Sequence, residues 1–112
     1  MRLIDYVSRV FIDTDKLTAY ALNVDHPHGK HKAYVFASAL GYSRDNYQGL
    51  VNQICGTVLF LDATLVKNNA YGQHLRVDIE ITGPLSKTAI VRTGWLIEPD
   101  SDTAVLTTLF VL

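Results

Sequence analysis

The stretch Gln73–Thr82 alternates without a break, and it constrains the fold more than any other part of the chain. Leu75, Val77, Ile79 and Ile81 fall on one side; His74, Arg76, Asp78 and Glu80 fall on the other. A period of two is the signature of a strand with one buried face. Such a strand needs neighbours in a sheet and a layer to cover its apolar side. The surrounding sequence supplies both. Gly83-Pro84 closes the segment, and Thr88–Ile97 follows, apolar on both faces except for Arg92 and Thr93, which predicts a central strand. Pro99-Asp100-Ser101-Asp102 turns the chain into a last strand at Thr103–Leu112. A shorter strand is expected at Ala63–Lys67, before the turn chemistry of Asn68-Asn69-Ala70-Tyr71-Gly72.

The covering layer is encoded upstream. Ala33, Phe36, Ala37 and Leu40 recur at i, i+3, i+4, i+7, which predicts a helix over 30–40 with Gly41 as its C-terminal cap. Ser43 is expected to cap a third helix with Asp45 in its first turn; its stripe is Tyr47, Leu50, Val51, Ile54, Cys55 and Val58. Gly49 and Gly56 weaken that helix and blur its far end. An earlier short helix over about 15–22 would turn Leu17, Tyr20 and Ala21 inward, and residues 8–12 read as a short strand. The expected fold is therefore α+β: N-terminal helices packed on a roughly four-stranded antiparallel sheet, as a single domain over 1–112, with the helices on the face of Val77 and Ile79.

Composition narrows the functional classes. A hydrophobic fraction of 48% and a charged fraction of 19% describe a globular chain. The formal net charge of −1 argues against broad nonspecific nucleic-acid binding, so any such role must come from a local patch. The lone Cys55 fits a reducing cytoplasm, and it reads as a small buried apolar residue on the third helix. No apolar run reaches the length of a membrane span, and charge interrupts the apolar residues of Met-Arg-Leu-Ile-Asp-Tyr, so neither a membrane segment nor a signal peptide is expected.

The segment Asp25-His-Pro-His-Gly-Lys-His-Lys-Ala33 holds three of the four histidines. It places Lys30, His31 and Lys32 in the first turn of a helix, where the dipole already supplies partial positive charge. Gly29, Lys30 and Lys32 around the free N–H groups would make a cradle for phosphate or carboxylate; the alternative is a pair of solvated lysines. His26, His28 and His31 invite a metal, but no second cluster completes a closed site, so no metal or other cofactor is expected. The competing reading is a polar loop in which His26 or Asp25 bonds the backbone. Arg92, the lone charge in an apolar strand, either pairs with Asp78 or Glu80 or lies on the open face of the sheet near His74 and Arg76. On that face it would complement phosphodiester charge while a histidine moves protons. Tyr71 either stacks on a base or donates a proton, or else covers the core edge as a turn residue. Trp95 shares a face with Val91 and Thr93 and reads as core, with base stacking the alternative.

Lys16-Leu17, Tyr20, Leu22-Asn23, His26-Pro27, Gly29, Lys32-Ala33, Phe36 and Leu40-Gly41, followed by Tyr71-Gly72-Gln73, Thr82-Gly83-Pro84, Val91-Arg92, Trp95 and Val111-Leu112, resemble a family of small bacterial domains of unknown function. Its His-Pro-x-Gly-x-x-Lys-Ala core leaves positions 28, 30 and 31 open, so the resemblance favours His26, Lys32, Tyr71 and Arg92. The order of elements is similar to the barnase/EndoU/colicin/RelE-like ribonuclease fold, whose members cut RNA without metal. That likeness implies a metal-independent endoribonuclease of toxin–antitoxin type. His26, Lys32, Tyr71, His74 and Arg92 would be its catalytic set, RNA its substrate and a small antitoxin protein its partner. Two departures stand beside it: the slight acidity of the chain, and Phe110 where a tyrosine could have served. The alternative is a noncatalytic protein-interaction or anion-binding module, with the apolar edge of the last strand pairing two copies as a homodimer.

Overall fold

A computed structural model describes residues 1–112. A five-stranded sheet forms one layer, in the order β1-β5-β4-β3-β2. Its strands are β1 (Arg9–Phe11), β2 (Thr64–Asn69), β3 (Gly72–Thr82), β4 (Thr88–Ile97) and β5 (Thr103–Val111). Helices α1 (Lys30–Leu40) and α2 (Tyr47–Thr57) form the second layer. The β2–β5 meander is antiparallel throughout, and β4 lies inside it as its two-sided apolar character requires. The mixed α+β class follows the sequence. The strand count and direction do not: the sheet has five strands rather than four, and β1 runs parallel to β5, pairing Arg9 with Thr103 and Phe11 with Val105. Three residues are too few to show a period, so a segment like β1 leaves little trace in a pattern. β1 also occupies the first third, Thr103–Val105, of the β5 edge expected to serve a homodimer.

The alternation of β3 is realised residue by residue. Leu75, Val77, Ile79 and Ile81 are buried, and they meet Val91, Trp95 and Ile97 of β4 beneath Phe36, Leu40, Leu50 and Ile54 of the helices. In α1, Ala33, Phe36 and Leu40 are buried but Ala37 is exposed, and Gly41 closes the helix at φ +84°. α2 begins later than expected. Asn46 is its N-cap, and its side chain accepts from the Ser43 N–H at 2.7 Å and donates to the Gly41 carbonyl at 2.9 Å. Ser43 instead accepts from the Asp45 N–H, which keeps Asp45 outside the helix. Cys55 is exposed rather than buried, because Ile54 takes the inward position. The helix expected over 15–22 is a single wide turn, Leu17–Ala21, closed by the Leu22 N–H to the Leu17 carbonyl at 2.7 Å. Leu17 and Ala21 point inward there, but Tyr20 faces out.

One polar tie joins the two layers, and a second lies within the sheet. The Gln53 side chain of α2 behaves as an extra piece of strand: it accepts from the Thr82 N–H at 3.1 Å and donates to the Thr82 carbonyl at 2.7 Å. Inside the core, the Trp95 indole N–H donates to the Thr93 hydroxyl at 2.8 Å, and that hydroxyl donates to the Val77 carbonyl at 2.7 Å. Trp95 is 1% exposed, so it is core and offers no ring to a base. No helix is long and apolar enough to cross a membrane.

Removing the middle of that relay leaves a buried indole N–H without an acceptor, which costs about 1–3 kcal/mol. Thr93→Val, which keeps the shape, should lower unfolding stability by that amount in chemical denaturation. An unchanged midpoint would show that the relay is not strained for partners.

Candidate functional site

The site begins with an irregularity in β5. Gly94 pairs with Thr108 while Trp95 pairs with Leu106, so Thr107 is an extra, bulged residue. Before the bulge Ala104 and Leu106 face the core; after it Leu109 does, and Thr107 and Thr108 are both exposed. Gly94 permits this, because a Cβ there would stand 2.8 Å from Thr108 Cγ2. The exposed threonines form a low wall between two adjoining hollows.

On one side lies a cavity of about 240 Å³ bounded by Lys16, Tyr20, Lys32, Leu106 and Leu109 with the threonines. On the other lies one of about 280 Å³, on the open face of the sheet, bounded by Lys67, His74, Arg76, Arg92 and Phe110 with the same threonines. No acidic side chain lines either hollow. A chain with a net charge of −1 thus gathers five of its cations around one wall, and a concave cationic surface raises the local concentration of anions.

Lys32 bridges the two halves. It leaves the first turn of α1, but its ammonium reaches across to the sheet, donating to Thr108 Oγ1 at 3.3 Å. It stands 5.3 Å from the centroid of the Tyr20 ring and 5.5 Å from that of Phe110, within cation–π range of both. Arg92 lies opposite Phe110 in the ladder. Its Nε and Nη2 donate to Asp78 Oδ1 and Oδ2 at 2.9 and 3.0 Å. This is the ion pair anticipated for it, with Asp78 rather than Glu80. The pair uses two of the five guanidinium N–H donors and leaves the rest free. The Arg92 hydrogen bonds hold the Asp78 carboxyl below its ordinary range, with burial opposing and the charges of Arg92 and Arg76 adding to the depression.

His74 is oriented by the β2–β3 turn. Asn69 Oδ1 accepts the Tyr71 N–H at 3.0 Å, which identifies that atom as the oxygen. His74 Nε2, 3.3 Å from the same oxygen, must then donate. In the neutral ring this leaves Nδ1 with the free lone pair, the state required of a proton acceptor. Tyr71 itself is 74% exposed and lines neither hollow.

In the loop before α1 a histidine bonds the backbone, as the competing reading of that segment had it. His26 Nδ1 accepts the N–H groups of His28 and Gly29, both at 3.0 Å, and the His26 carbonyl accepts from the Lys30 N–H at 3.0 Å. His26 therefore ties down the loop that leads into α1, since the N–H groups its ring accepts lie before the helix begins at Lys30. Its ring packs edge-on against Tyr20, with centroids 4.7 Å apart. Gly29 lies against the Tyr20 carbonyl, where no Cβ would fit. Lys30, His28 and His31 line neither hollow, and no three His, Cys, Asp or Glu side chains come together as a metal site. Of the residues singled out from sequence, Lys32 lines one hollow and His74 and Arg92 line the other, across the shared threonines, and His26 packs against Tyr20 of the first. Lys67, Thr107 and Thr108 carried no signal, and Lys16 stood out only among the residues of the family resemblance. Arg76 was visible only as a neighbour of Arg92.

Over residues 2–112 the chain matches the family model for a domain of unknown function, DUF6883, and belongs to that family. Among solved structures it is similar to a chain of the contact-dependent growth inhibition toxin–immunity protein complex from Klebsiella pneumoniae 342. The TM-score is 0.70 at 14% sequence identity, covering 96% of this chain and 97% of that one. At that identity the likeness is one of fold. No curated protein sequence matches the chain.

Because Arg92 is the first cause of the depressed Asp78 pKa, Arg92→Ala should return that carboxyl toward its ordinary value, measured by NMR titration of the side-chain carboxyl. Linkage gives the sign. The pair's stabilisation is present above the unfolded carboxylate pKa and is lost as pH falls through the lower folded value. The variant should therefore lose stability near neutral pH and show a shallower acid limb. An Asp78 titration unmoved by the substitution would contradict the assignment.

Proposed function

We propose that this domain is a toxin-type, metal-independent endoribonuclease whose active site is the cationic cleft on either side of Thr107 and Thr108. The observation that carries this reading is the convergence of Lys32, Arg92, Arg76 and a tautomer-defined His74 on one wall. RNA offers this chemistry what it needs, a phosphodiester with a 2′-hydroxyl beside it. Arg92 and Arg76 neutralise the nonbridging oxygens, whose charge grows as phosphorus becomes five-coordinate. His74 Nδ1 takes the 2′-hydroxyl proton while the 2′-oxygen–phosphorus bond forms. The bond from phosphorus to the 5′-oxygen breaks, and that oxygen takes a proton from the Lys32 ammonium, which solvent and His74 restore. The products are a 2′,3′-cyclic phosphate and a 5′-hydroxyl, with no metal or cofactor in the balance.

His26 and Tyr71 take supporting parts in this account. His26 holds the loop and the Tyr20 ring; Tyr71 holds, through its backbone, the amide that orients His74. The fold of a chain from a toxin–immunity complex supports the toxin reading, and it supports a small neutralising protein as the partner. A noncatalytic anion-binding module is the competing function. It would need the cations of the cleft but not the His74 tautomer.

Purified protein should cleave total RNA in EDTA and leave cyclic phosphate ends. His74→Ala should lower the rate by about 10²–10⁴-fold, and Lys32→Ala and Arg92→Ala should lower it comparably, while His26→Ala should act mainly on stability. Folded protein that binds RNA but does not cut it, with His74→Ala binding equally well, would favour the anion-binding module.

A further inference from the structure

Only one side of β2 is used. Its ladder partner is β3, and its other side is the open end of the sheet. Thr64–Asn69 are all exposed, Leu65 at 45% and Val66 at 58% among them. Just before β2 the same edge already takes a strand. The Leu3 N–H donates to the Leu61 carbonyl at 3.0 Å and the Ala63 N–H to the Met1 carbonyl at 2.7 Å, with Arg2 opposite Asp62 in antiparallel pairing. Leu65, two residues past Ala63, directs its N–H and C=O the same way. Asn68 does so too, because the pair beside it, Asn69–Gly72, closes a two-residue turn and in such a hairpin is the bonded one. No turn, cap or loop bond reaches the backbone of Thr64–Asn69, so donors and acceptors stand open along it.

We infer that this edge docks a partner protein, which adds a strand to the sheet beside β2 and turns acidic side chains toward the adjoining hollow. The inference rests on the reading that a small protein neutralises this domain, and it names the surface and the chemistry of that contact. A bare strand edge fits another polypeptide backbone. Charge complementarity then selects the polypeptide. The register shift between Leu65 and Lys67 makes Val66 an extra residue, and Val66 and Lys67 both line the hollow of His74, Arg76 and Arg92. β2 is thus the outer rim of that hollow, as Thr107 and Thr108 are its inner rim. Lys67 has no carboxylate partner, and no acid lines the hollow. A strand seated on β2 lies about 4.8 Å beyond it. Its glutamates or aspartates on the open face then stand beside Lys67, with Arg76 one strand further in.

A second copy of this chain is the other occupant such an edge invites, and charge disfavours it. Pairing β2 with β2 sets two copies of Lys67 and two acid-free hollows against each other, and like charges across a ladder repel. A lysine on an edge strand guards it in this way, but the guard fails against an acidic strand. The opposite end of the sheet, β1, is only Arg9–Phe11 and offers half the length of β2. A partner seated on β2 covers Leu65 and Val66, closes one side of the cleft and competes with RNA for its cations.

The test is titration of the ¹⁵N-labelled protein with two short synthetic peptides, one alternating valine with glutamate and one alternating valine with lysine, beside sedimentation of the protein alone. The glutamate peptide should move the Leu65 and Asn68 amides and slow their hydrogen exchange. It should bind about 5-fold tighter than the lysine peptide, the order expected when one cross-strand pair changes from opposite to like charge. Lys67→Glu, an exposed change, should narrow that preference, and the protein alone should sediment as a monomer. Equal binding of the two peptides, Leu65 and Asn68 amides that neither peptide moves, or a dimer whose β2 amides exchange slowly, overturns the inference. RNA cleavage by a protein whose β2 edge takes neither peptide would overturn the docking surface and leave the ribonuclease standing. Docking of the glutamate peptide on a protein that cuts no RNA would do the reverse.

Discussion

The single extra residue at Thr107 sets the rest of the structure. A strand with strict alternation would carry the inward phase of Ala104 and Leu106 on to Thr108 and Phe110, and would turn Leu109 to solvent. The bulge resets the phase, so β5 buries leucines on both sides of it and presents Thr108 and Phe110 outward. Gly94 opposite makes the room. Bulges re-aim side chains in this way where a sheet has to do something besides pack. Here the re-aimed residues are the ones that meet Lys32, face Arg92 and separate the two hollows.

Electrostatics then act locally against the average. The overall charge is slightly negative, yet no acid enters the cleft; Asp78 stands beside it and is consumed by Arg92. That pair holds the guanidinium in place without neutralising its remaining donors. Lys32 also sits against aromatic and hydroxyl groups rather than a carboxylate, which keeps it available to an anion. The same economy governs the histidines. His26 uses its ring nitrogen to tie down the loop before α1, and His74 is left with a free one.

Much of the fold was readable because its signals are periodic. The β3 alternation and the α1 stripe extend over ten or more residues, and their bounds in the structure differ from the sequence reading by a residue or less. β1 was readable as a strand but not in its partner, since nothing in three residues tells which edge they join. The late start of α2 turned on Asn46 outcompeting Ser43 for the loop groups, a matter of local geometry that residue type alone does not decide. At the site, the Arg92–Asp78 pair followed from two strands in register. The choice between His26 and His74 did not. It depended on where each ring nitrogen finds its partner, and for His74 that partner is Asn69, which the β2–β3 turn brings back beside it.

The proposed anion site lies on the sheet, at the bulge, and not at the N-terminus of α1. Titration of the ¹⁵N-labelled protein with inorganic phosphate separates the two directly. The amides of Gly94, Thr107 and Thr108 should move, together with the Arg92 side-chain N–H signal, while those of His31 and Lys32 stay in place. Movement confined to the His31 and Lys32 amides would put the anion at the helix entrance and contradict the site described.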